Sequence, residues 1–374
     1  MFNYYQPTKI HFGPGRLSEL GEIASKYGKR AFMVTTPDAP LRPLYDRVIK
    51  ILTNSNIEVI HFDQVEPNPS AEMIEKGFKM LKENPCDFVL AVGGGSSIDT
   101  AKTIAFTNGQ EKINWDELFK FSSPYEDYPE YSDSVLPIIS IPTTSGTGSQ
   151  VTQAAVITLG QEKLTYYHPS LFSKECILDS ELTLTLPNRI TAATGFDAFT
   201  HAFESFINKR ASLYSENDSI LAMKLVIENL PKALENPKDI EYRKNLSMAD
   251  TLAGRALANS GAHAPHPLSE LIGGVVHMAH GEALAVVFPA FVKNAYVDNK
   301  EKMDIVANLF DENAECLYEE IVKFLKTIGL YKTLKEAGVC QEDYEIMLKS
   351  PMLDHLPFGN REFLESIMNE AYGL

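Results

Sequence analysis

Two residues of the types that bind divalent metals stand at helical spacing within residues 194–204. Asp197 and His201 are four residues apart, so on a helix both side chains lie on one face and could share an ion. The same spacing is common on solvated helix faces, where no ion is needed. Here the neighbouring residues are small or apolar, and a buried Asp and His without partners would be costly. The pair therefore predicts a metal site.

A histidine cluster supplies further candidate ligands. Four of the nine histidines fall within residues 263–280, in a lysine-free stretch rich in Gly, Ala and Val. Neutral imidazoles together with a carboxylate are usual ligands of Zn(II) and Fe(II), although any single histidine is more commonly structural. Two pairs in the cluster have the same separation of fourteen residues, His263 with His277 and His266 with His280. Spacing alone leaves both pairs open.

A glycine-rich turn in the first half predicts an anion site. The turn Gly93-Gly94-Gly95-Ser96 follows the apolar run 88–92 and precedes a helical pattern that starts at Ser97. Glycines allow backbone N–H groups to approach an anion, and a helix N-terminus adds positive potential, so the turn suits a diphosphate. The alternative is an ordinary glycine turn, and the GxGxxG spacing of classical dinucleotide folds is absent.

A second small, hydroxyl-rich loop covers residues 142–151, after the apolar run 135–141. Ligands of open α/β sheets bind beyond the carboxyl ends of the strands, so this loop and the glycine turn are expected to be neighbours. Its hydroxyl groups could bind phosphate or ribose. A plain Ser/Thr-rich turn is the alternative interpretation.

The secondary structure predicted around these residues differs between the two halves of the chain. The first half alternates short apolar runs with amphipathic ones, which predicts a parallel, Rossmann-like sheet covered by helices. From Leu186 onward helical patterns dominate. We predict an α/β dinucleotide-binding domain over residues 1–184 and an all-α metal-binding domain over 185–374. The predicted strands are 31–35, 57–61, 88–92 and 135–141, and the predicted helices are 44–52, 71–81, one from 97, 187–208, 212–230, 242–264, 303–310 and 315–328.

The charge, the cysteines and the lack of a long apolar run argue against nucleic-acid-binding, disulfide-rich and membrane proteins. The 374 residues carry a net charge of -16, which disfavours binding to nucleic acids and to anionic membranes. Four scattered cysteines without a CxxC motif indicate neither a disulfide framework nor a thiolate metal site. No apolar run is long enough to span a membrane, and the first residues do not form a signal sequence. We expect a cytoplasmic protein.

Taken in order, these segments resemble the iron-containing (group III) alcohol dehydrogenase family. The resemblance covers nearly the whole chain. It implies an enzyme that transfers a hydride between NAD(P)(H) and an alcohol/aldehyde pair, assembled as a homodimer or larger homo-oligomer. The motifs that carry it are IHFGPG at 10–15, EPNP at 66–69, GGGSSIDTAK at 93–102, IPTTSGTGSQVT at 141–152, Asp179 with Leu186-Pro187, TGFDAFTHAFE at 194–204 and the histidine segment.

The resemblance also implies roles for individual residues. It favours His266 and His280 as the last two ligands, because the His280-Gly281 step and the register of Asn259 match the family. Many members carry a further histidine near the nicotinamide, but that position is Glu270 here. His277 or His263 could take over its role, or the proton could pass through water and ribose hydroxyls. The implied metal ligands are Asp197, His201, His266 and His280, for Fe(II) or Zn(II), and the implied catalytic residues are these four with His277.

The implied cofactor site leaves NAD and NADP open. NAD-preferring relatives often have an Asp after the first strand of the dinucleotide fold, where this chain has Thr36, although the nearby Asp38 could replace it. The implied cofactor-binding residues are Thr36, Asn68, Gly94, Gly95, Ser96, Asp99, Thr143, Thr144, Thr147 and Lys163.

A rival interpretation is a lyase resembling dehydroquinate synthase, which shares the general fold and uses NAD and a metal without net redox change. Such an enzyme needs basic residues for an acidic, phosphorylated substrate, and the metal region of this chain has few. Net turnover of NAD(P)H with a simple aldehyde would distinguish the two.

Overall fold

The computed structural model describes residues 2–160, 162–311 and 316–374. The chain divides into two compact units. One is Asn3–Thr185, and the other is Leu186–Leu374 together with Phe2. Each unit has its own hydrophobic core.

The N-terminal unit is an α/β structure. Its strands are β1 (Lys9–Phe12), β2 (Arg30–Val34), β3 (Glu58–Phe62), β4 (Phe88–Gly93), β5 (Ile138–Pro142), β6 (Ala154–Leu159), β7 (Glu162–Tyr167) and β8 (Glu175–Leu178). Its helices are α1 (Leu20–Ala24), α2 (Arg42–Asn54), α3 (Ala71–Glu83), α4 (Gly95–Phe106) and α5 (Trp115–Leu118). Six strands form a parallel sheet in the order β1-β8-β5-β4-β2-β3, and β6 and β7 form an antiparallel pair. The predicted parallel, helix-covered sheet is confirmed.

The centre of this sheet is buried on both faces, which explains its apolar sequence. All six residues of β4 are buried. Val89 and Ala91 belong to one apolar cluster, and Leu90 and Val92 belong to another. Successive side chains of a strand point to opposite faces, so a strand covered on both sides needs an unbroken apolar run.

Some strands were not anticipated from the sequence. β1 and β8 have only four residues each, and β1 reads Lys-Ile-His-Phe, with no apolar run. The two strands pair in parallel, and the ring Nε2 of His11 on β1 lies 2.5 Å from Oε2 of Glu175 on β8. Asp179 accepts backbone hydrogen bonds from Gly15 and Leu17, both at 2.9 Å. Contacts far apart in sequence thus hold these short strands.

The strand order places a switch point between β2 and β4. From β2 the chain moves outward to β3 and then returns to form β4 on the other side of β2. Ligands of open α/β sheets bind beyond the carboxyl ends of the strands at such a point. The turn after β2 and the glycine turn after β4 therefore flank the expected crevice.

The C-terminal unit contains only helices among its described residues. They are α6 (Asn188–Ile207), α7 (Leu213–Glu235), α8 (Ile240–Ser260), α9 (Pro265–Val276), α10 (His280–Phe310), α11 (Leu317–Thr327), α12 (Gln341–Leu348), α13 (Met352–His355) and α14 (Arg361–Tyr372). The predicted helical character is confirmed. No helix in the described parts of the chain is both long enough and apolar enough to cross a membrane. All four cysteines are free.

The helix predicted over 242–264 ends earlier than expected. It stops at Ser260 because Gly261 adopts a positive φ of 82°. A separate helix, α9, begins at Pro265, where proline suits the first turn. The predicted helix 303–310 is the last part of α10, beyond a kink at Asn299, whose φ of -126° is not helical. Residue 315, in the helix predicted over 315–328, lies outside the described residues.

Helix α6 runs through the core of the C-terminal unit, and every residue from Gly195 to Ile207 is buried. The rings of Phe196, Phe199 and Phe203 contact the ring of Phe288 on α10, with centroids 5.5, 5.9 and 5.1 Å away. These contacts hold two turns of α6 against α10 at Phe288. They give the polar residues of α6 a rigid framework.

Candidate functional site

Asp197 and His201 lie on the same face of α6, as their spacing predicts. Both are buried, with 3% and 6% of their surface exposed. The Nδ1 atom of His201 lies 3.5 Å from the Oδ1 atom of Asp197. Their burial in an apolar helix excludes the ordinary solvated pair.

Two further imidazoles approach the same carboxylate oxygen. His266, in the first turn of α9, places its Nε2 3.5 Å from Asp197 Oδ1. His280, the first residue of α10, places its Nε2 3.6 Å from that atom. Ligand atoms of Asp197, His201 and His266 all lie within 4.8 Å of one another, as required to hold one metal ion.

Two atoms of this cluster are buried without a hydrogen-bond partner. They are Oδ1 of Asp197 and Nε2 of His266, and their separation of 3.5 Å exceeds a normal hydrogen-bond length. Buried polar atoms are rarely left unsatisfied, because the loss of hydration is then uncompensated. A cation among these atoms would satisfy both, so the residues present fit a metal ion.

The charges around the cluster also fit a divalent ion. Burial alone would raise the pKa of Asp197, but the imidazoles of His201, His266 and His280 outweigh it and hold that pKa below its ordinary value. Burial raises the pKa of Glu204, the second carboxylate here. Among the described residues, only histidines form ion pairs with these two carboxylates. Two buried carboxylates without a lysine or arginine would be neutralised by a charge of +2.

The other equally spaced histidine pair lies elsewhere. The ring of His263 packs against Phe291 and Phe358, and its Nδ1 accepts a hydrogen bond from the N–H of Ala264 at 2.9 Å. Burial lowers its pKa to about 4. His277 is exposed and ends α9 in a left-handed conformation. The structure therefore brings His266 and His280, and not His263 and His277, to Asp197.

In the N-terminal unit, the two predicted loops meet. A Cβ atom on Gly94 would lie 3.1 Å from the hydroxyl of Thr144, and one on Gly95 would lie 2.8 Å from the methyl group of Thr147. Gly93 and Pro142 are paired in the register of β4 and β5. The loops touch because they leave adjacent parallel strands at the same edge.

The N-terminus of α4 has the features of an anion site. Its cap residue, Gly94, provides no side-chain hydrogen bond to the first turn. The first N–H groups of the helix are therefore available to a ligand, in a field that favours negative charge. Gly94, Gly95 and Ser96 are partly exposed.

Asp99 and Lys102, in the same motif, are engaged within the protein. The Asp99 carboxylate accepts hydrogen bonds from the Ser149 hydroxyl at 2.6 Å and from the Val156 N–H at 3.1 Å. The fully buried Lys102 ammonium donates to the carbonyls of Thr152 and Ala154, at 3.0 and 2.7 Å. Together they fix the segment after the hydroxyl-rich loop against α4.

The remaining sequence-derived cofactor residues lie at several places in this unit. Thr36 follows β2, next to the switch point. Asn68 is exposed, has a positive φ of 56°, and its carbonyl accepts a hydrogen bond from the Thr158 hydroxyl at 3.3 Å. Thr143 is buried at the end of β5, and Lys163 is on the β7 hairpin strand.

Both units match models of one protein family. Residues 7–180 match the iron-containing alcohol dehydrogenase model, and residues 191–369 match the C-terminal model of the Fe-containing alcohol dehydrogenase family. The chain belongs to this family. The enzyme class predicted from the sequence, an alcohol dehydrogenase, is confirmed.

Curated relatives of this iron-containing alcohol dehydrogenase align along all or nearly all of its length. It is 31% identical to 1,3-propanediol dehydrogenase of Klebsiella pneumoniae, covering 100% of this chain and 99% of the relative. It is 32% identical to the NAD-dependent methanol dehydrogenase of Bacillus methanolicus, covering 95% and 94%. The crystal structure of an iron-containing alcohol dehydrogenase from Thermotoga maritima superposes with a TM-score of 0.87 at 30% identity, covering 100% of both chains.

One residue close to the cluster in this iron-containing alcohol dehydrogenase was not singled out from its sequence. Glu204 is fully buried, and its Oε1 lies 2.7 Å from Nδ1 of His266. The signal that could have found it is spacing, because Glu204 follows Asp197 by seven residues and His201 by three on the same helix.

Proposed function

We propose that this alcohol dehydrogenase holds one divalent metal on Asp197, His201, His266 and His280. The observation that carries the proposal is the environment of Asp197 Oδ1, which has three imidazole nitrogens at 3.5 to 3.6 Å and no hydrogen-bond partner. An ion there, Fe(II) or Zn(II), would supply a Lewis acid for the oxygen of an alcohol or aldehyde. Asp/His₃ sites suit either metal.

The protein groups then have separate tasks in hydride transfer. Gly94, Gly95 and Ser96 bind the cofactor diphosphate at the N-terminus of α4, with Thr143, Thr144 and Thr147 beside them. Asp99 supports this loop through Ser149 and Val156. The exposed His277, three residues before His280, exchanges the substrate proton with solvent.

For the cofactor we propose NAD(H) in preference to NADP(H), because a carboxylate stands next to the switch point. The Thr36 hydroxyl donates a hydrogen bond of 2.7 Å to Asp38 Oδ2, and the Tyr45 hydroxyl lies 2.9 Å from Thr36 Oγ1. Asp38 is exposed. Its carboxylate can accept a hydrogen bond from the ribose 2′-hydroxyl and would repel a 2′-phosphate. The NAD dependence of the methanol dehydrogenase relative agrees with this proposal.

For the substrate we propose a small aliphatic alcohol or diol and its aldehyde. Support comes from three of the relatives, which are named for 1,3-propanediol, methanol and butanol. The test is a spectrophotometric assay of metal-stripped protein, reconstituted separately with Fe(II) and Zn(II). It uses a panel of alcohols and aldehydes with each dinucleotide. We expect turnover that requires metal and is faster with NAD(H). The proposal would be overturned if turnover were the same with and without a chelator, or if no combination of substrate and dinucleotide were turned over.

A further inference from the structure

Glu204 is a buried carboxylate with two hydrogen bonds to the histidine segment. Its exposed fraction is 0%, and it lies on α6. Oε1 lies 2.7 Å from Nδ1 of His266, and Oε2 accepts the backbone N–H of His263 at 2.6 Å. When Glu204 is ionised, its carboxylate has no proton to give, so Nδ1 of His266 carries the hydrogen that the two groups share. In a neutral ring, the Nε2 of His266 is then unprotonated and offers its lone pair.

Ser269 makes a corresponding contact to His280. Its hydroxyl donates to the carbonyl oxygen of His266 at 2.7 Å, while its oxygen lies 3.1 Å from Nδ1 of His280. Because the single hydroxyl hydrogen is used on the carbonyl, Ser269 accepts at its other contact. In a neutral ring, the Nδ1 of His280 is then the protonated nitrogen, and its Nε2 is unprotonated.

The two unprotonated Nε2 atoms lie beside the same oxygen. The Nε2 atoms of His266 and His280 are 3.5 and 3.6 Å from Asp197 Oδ1. A metal ligand must offer a lone pair, and the hydrogen bond of the other ring nitrogen decides which atom offers it. If either ring adopted the opposite tautomer, an N–H group would occupy the place of a ligand.

We propose that Glu204 and Ser269 are positioning residues that fix the tautomers of His266 and His280, so that both present Nε2 beside Asp197. This proposal rests on the proposed metal site. It assigns the two residues a task that is independent of contact with substrate or cofactor.

If Glu204 only anchored the loop before α9, its loss would have the same effect on metal binding as the loss of another anchor of that loop. The loop before α9 has other anchors, since the Ser205 hydroxyl donates to the Gly261 carbonyl at 3.2 Å and the Asn208 amide donates to the Ala262 carbonyl at 2.9 Å. These anchors hold the same loop without touching an imidazole. Ser205→Ala is therefore a matched control for Glu204, because it loosens the loop and leaves both tautomers fixed.

The first test is the affinity for Zn²⁺, measured by competition with a chromophoric chelator. Outer contacts to metal-binding histidines typically contribute about 10–100-fold in affinity, so we expect a loss of that size in Glu204→Leu. Glu204→Gln should lose less, because its single amide oxygen can still accept from Nδ1. Ser269→Ala should weaken binding as well, whereas Ser269→Thr keeps the hydroxyl and the affinity. Ser205→Ala should stay within about twofold of the parent protein.

The second test observes the tautomers directly by NMR of the Zn²⁺-loaded protein with ¹⁵N-labelled histidine. We expect His266 and His280 to coordinate through Nε2 and to carry a slowly exchanging proton on Nδ1. Faster exchange at His266 in Glu204→Gln, and at His280 in Ser269→Ala, would support the proposal. Coordination through Nδ1 in the parent protein would overturn it.

The outcomes separate this proposal from the proposed function. If the parent protein binds no Zn²⁺ or Fe(II), the metal site itself is wrong. If the parent binds Zn²⁺ and the Glu204 variants bind it as tightly as Ser205→Ala, only the positioning role is wrong. Should Glu204→Leu fail to fold, the near-isosteric Glu204→Gln decides the question, and unchanged affinity together with unchanged proton exchange would overturn the proposal.

Discussion

A Cβ atom placed on Gly281 would lie 2.2 Å from the carbonyl oxygen of Ala193. Gly281 follows His280 at the start of α10, and Ala193 lies one turn before Asp197 on α6. Only a residue without a side chain allows the two backbones to approach this closely. The glycine therefore lets His280 reach Asp197.

Replacement of this glycine should disturb both the fold and the metal site. In Gly281→Ala the added methyl group meets backbone, which cannot rotate away, so α10 must move from α6. We expect a loss of about 1–3 kcal/mol in the free energy of unfolding of the metal-free protein, measured with denaturant. We also expect weaker Zn²⁺ binding in chelator competition.

Gly195→Ala is the matched control, because a methyl group there meets the flexible side chain of Leu230 at 2.6 Å. This variant should lose stability but keep most of its Zn²⁺ affinity. Equal Zn²⁺ affinity in the two variants would show that the approach of Gly281 to Ala193 does not set the position of His280.

The choice between the two histidine pairs can be tested by separate substitutions. His280→Ala removes a nitrogen 3.6 Å from Asp197 Oδ1, so we expect Zn²⁺ affinity to fall by more than about 100-fold and turnover to disappear. His277→Ala should retain stoichiometric metal and lose only part of kcat, because His277 is exposed and outside the cluster. Metal analysis after gel filtration, combined with the aldehyde assay, measures both. If His277→Ala lost the metal and His280→Ala retained it, His277 and not His280 would be the metal ligand.

Cofactor preference should depend on Asp38. In Asp38→Asn the charge that repels a 2′-phosphate is gone, so the ratio of kcat/KM for NADH over NADPH should fall by about tenfold, or ~1.4 kcal/mol. Thr36→Val removes the hydroxyl that holds the carboxylate at 2.7 Å and should lower the same ratio by a smaller factor.

The exposed Asp116 on α5 offers a control, since Asp116→Asn changes the net charge equally. Steady-state kinetics with both dinucleotides give the ratios. If Asp116→Asn and Asp38→Asn shift the ratio alike, the preference reflects overall charge and not a contact at the switch point.

Stability at acid pH should depend on His263. Burial and, to a smaller extent, the charge of Lys209 lower its pKa to about 4. The ordinary value is about 6.5, so between about pH 6.5 and 4 the unfolded chain binds a proton that the folded protein excludes. This group therefore removes up to about 3 kcal/mol of stability as the pH falls through that window.

The variant His263→Asn cannot titrate, while its amide oxygen can still accept from the Ala264 N–H as Nδ1 does. Denaturant unfolding in a chelator, at pH 7.5 and at pH 4.5, measures the effect without a contribution from metal. We expect the variant to gain stability relative to the parent at the lower pH. A difference between the two proteins that does not change with pH would contradict the assignment.

Much of the fold followed from local patterns. The unbroken apolar run of β4 and the amphipathic runs of α2 and α3 predicted buried strands covered by helices, and the structure has them at nearly the expected residues. The sequence pattern did not predict β1 and β8, because four-residue strands with polar positions are defined by their pairing and not by their own composition. The pattern also did not predict that a new helix, α9, begins at Pro265, since it favoured one helix that continues through Gly261.

For the proposed metal cluster, the spacing of Asp197 and His201 was enough to predict that both side chains lie on one face of the same helix. Spacing alone could not choose between His266 with His280 and His263 with His277, since both pairs have the same separation, and only the family resemblance favoured the first pair. The structure shows which pair lies close to Asp197. The packing of α9 and α10 on α6, including the approach of Gly281 to Ala193, brings one pair to Asp197 and keeps the other away. Distances between helices depend on contacts that no single segment encodes.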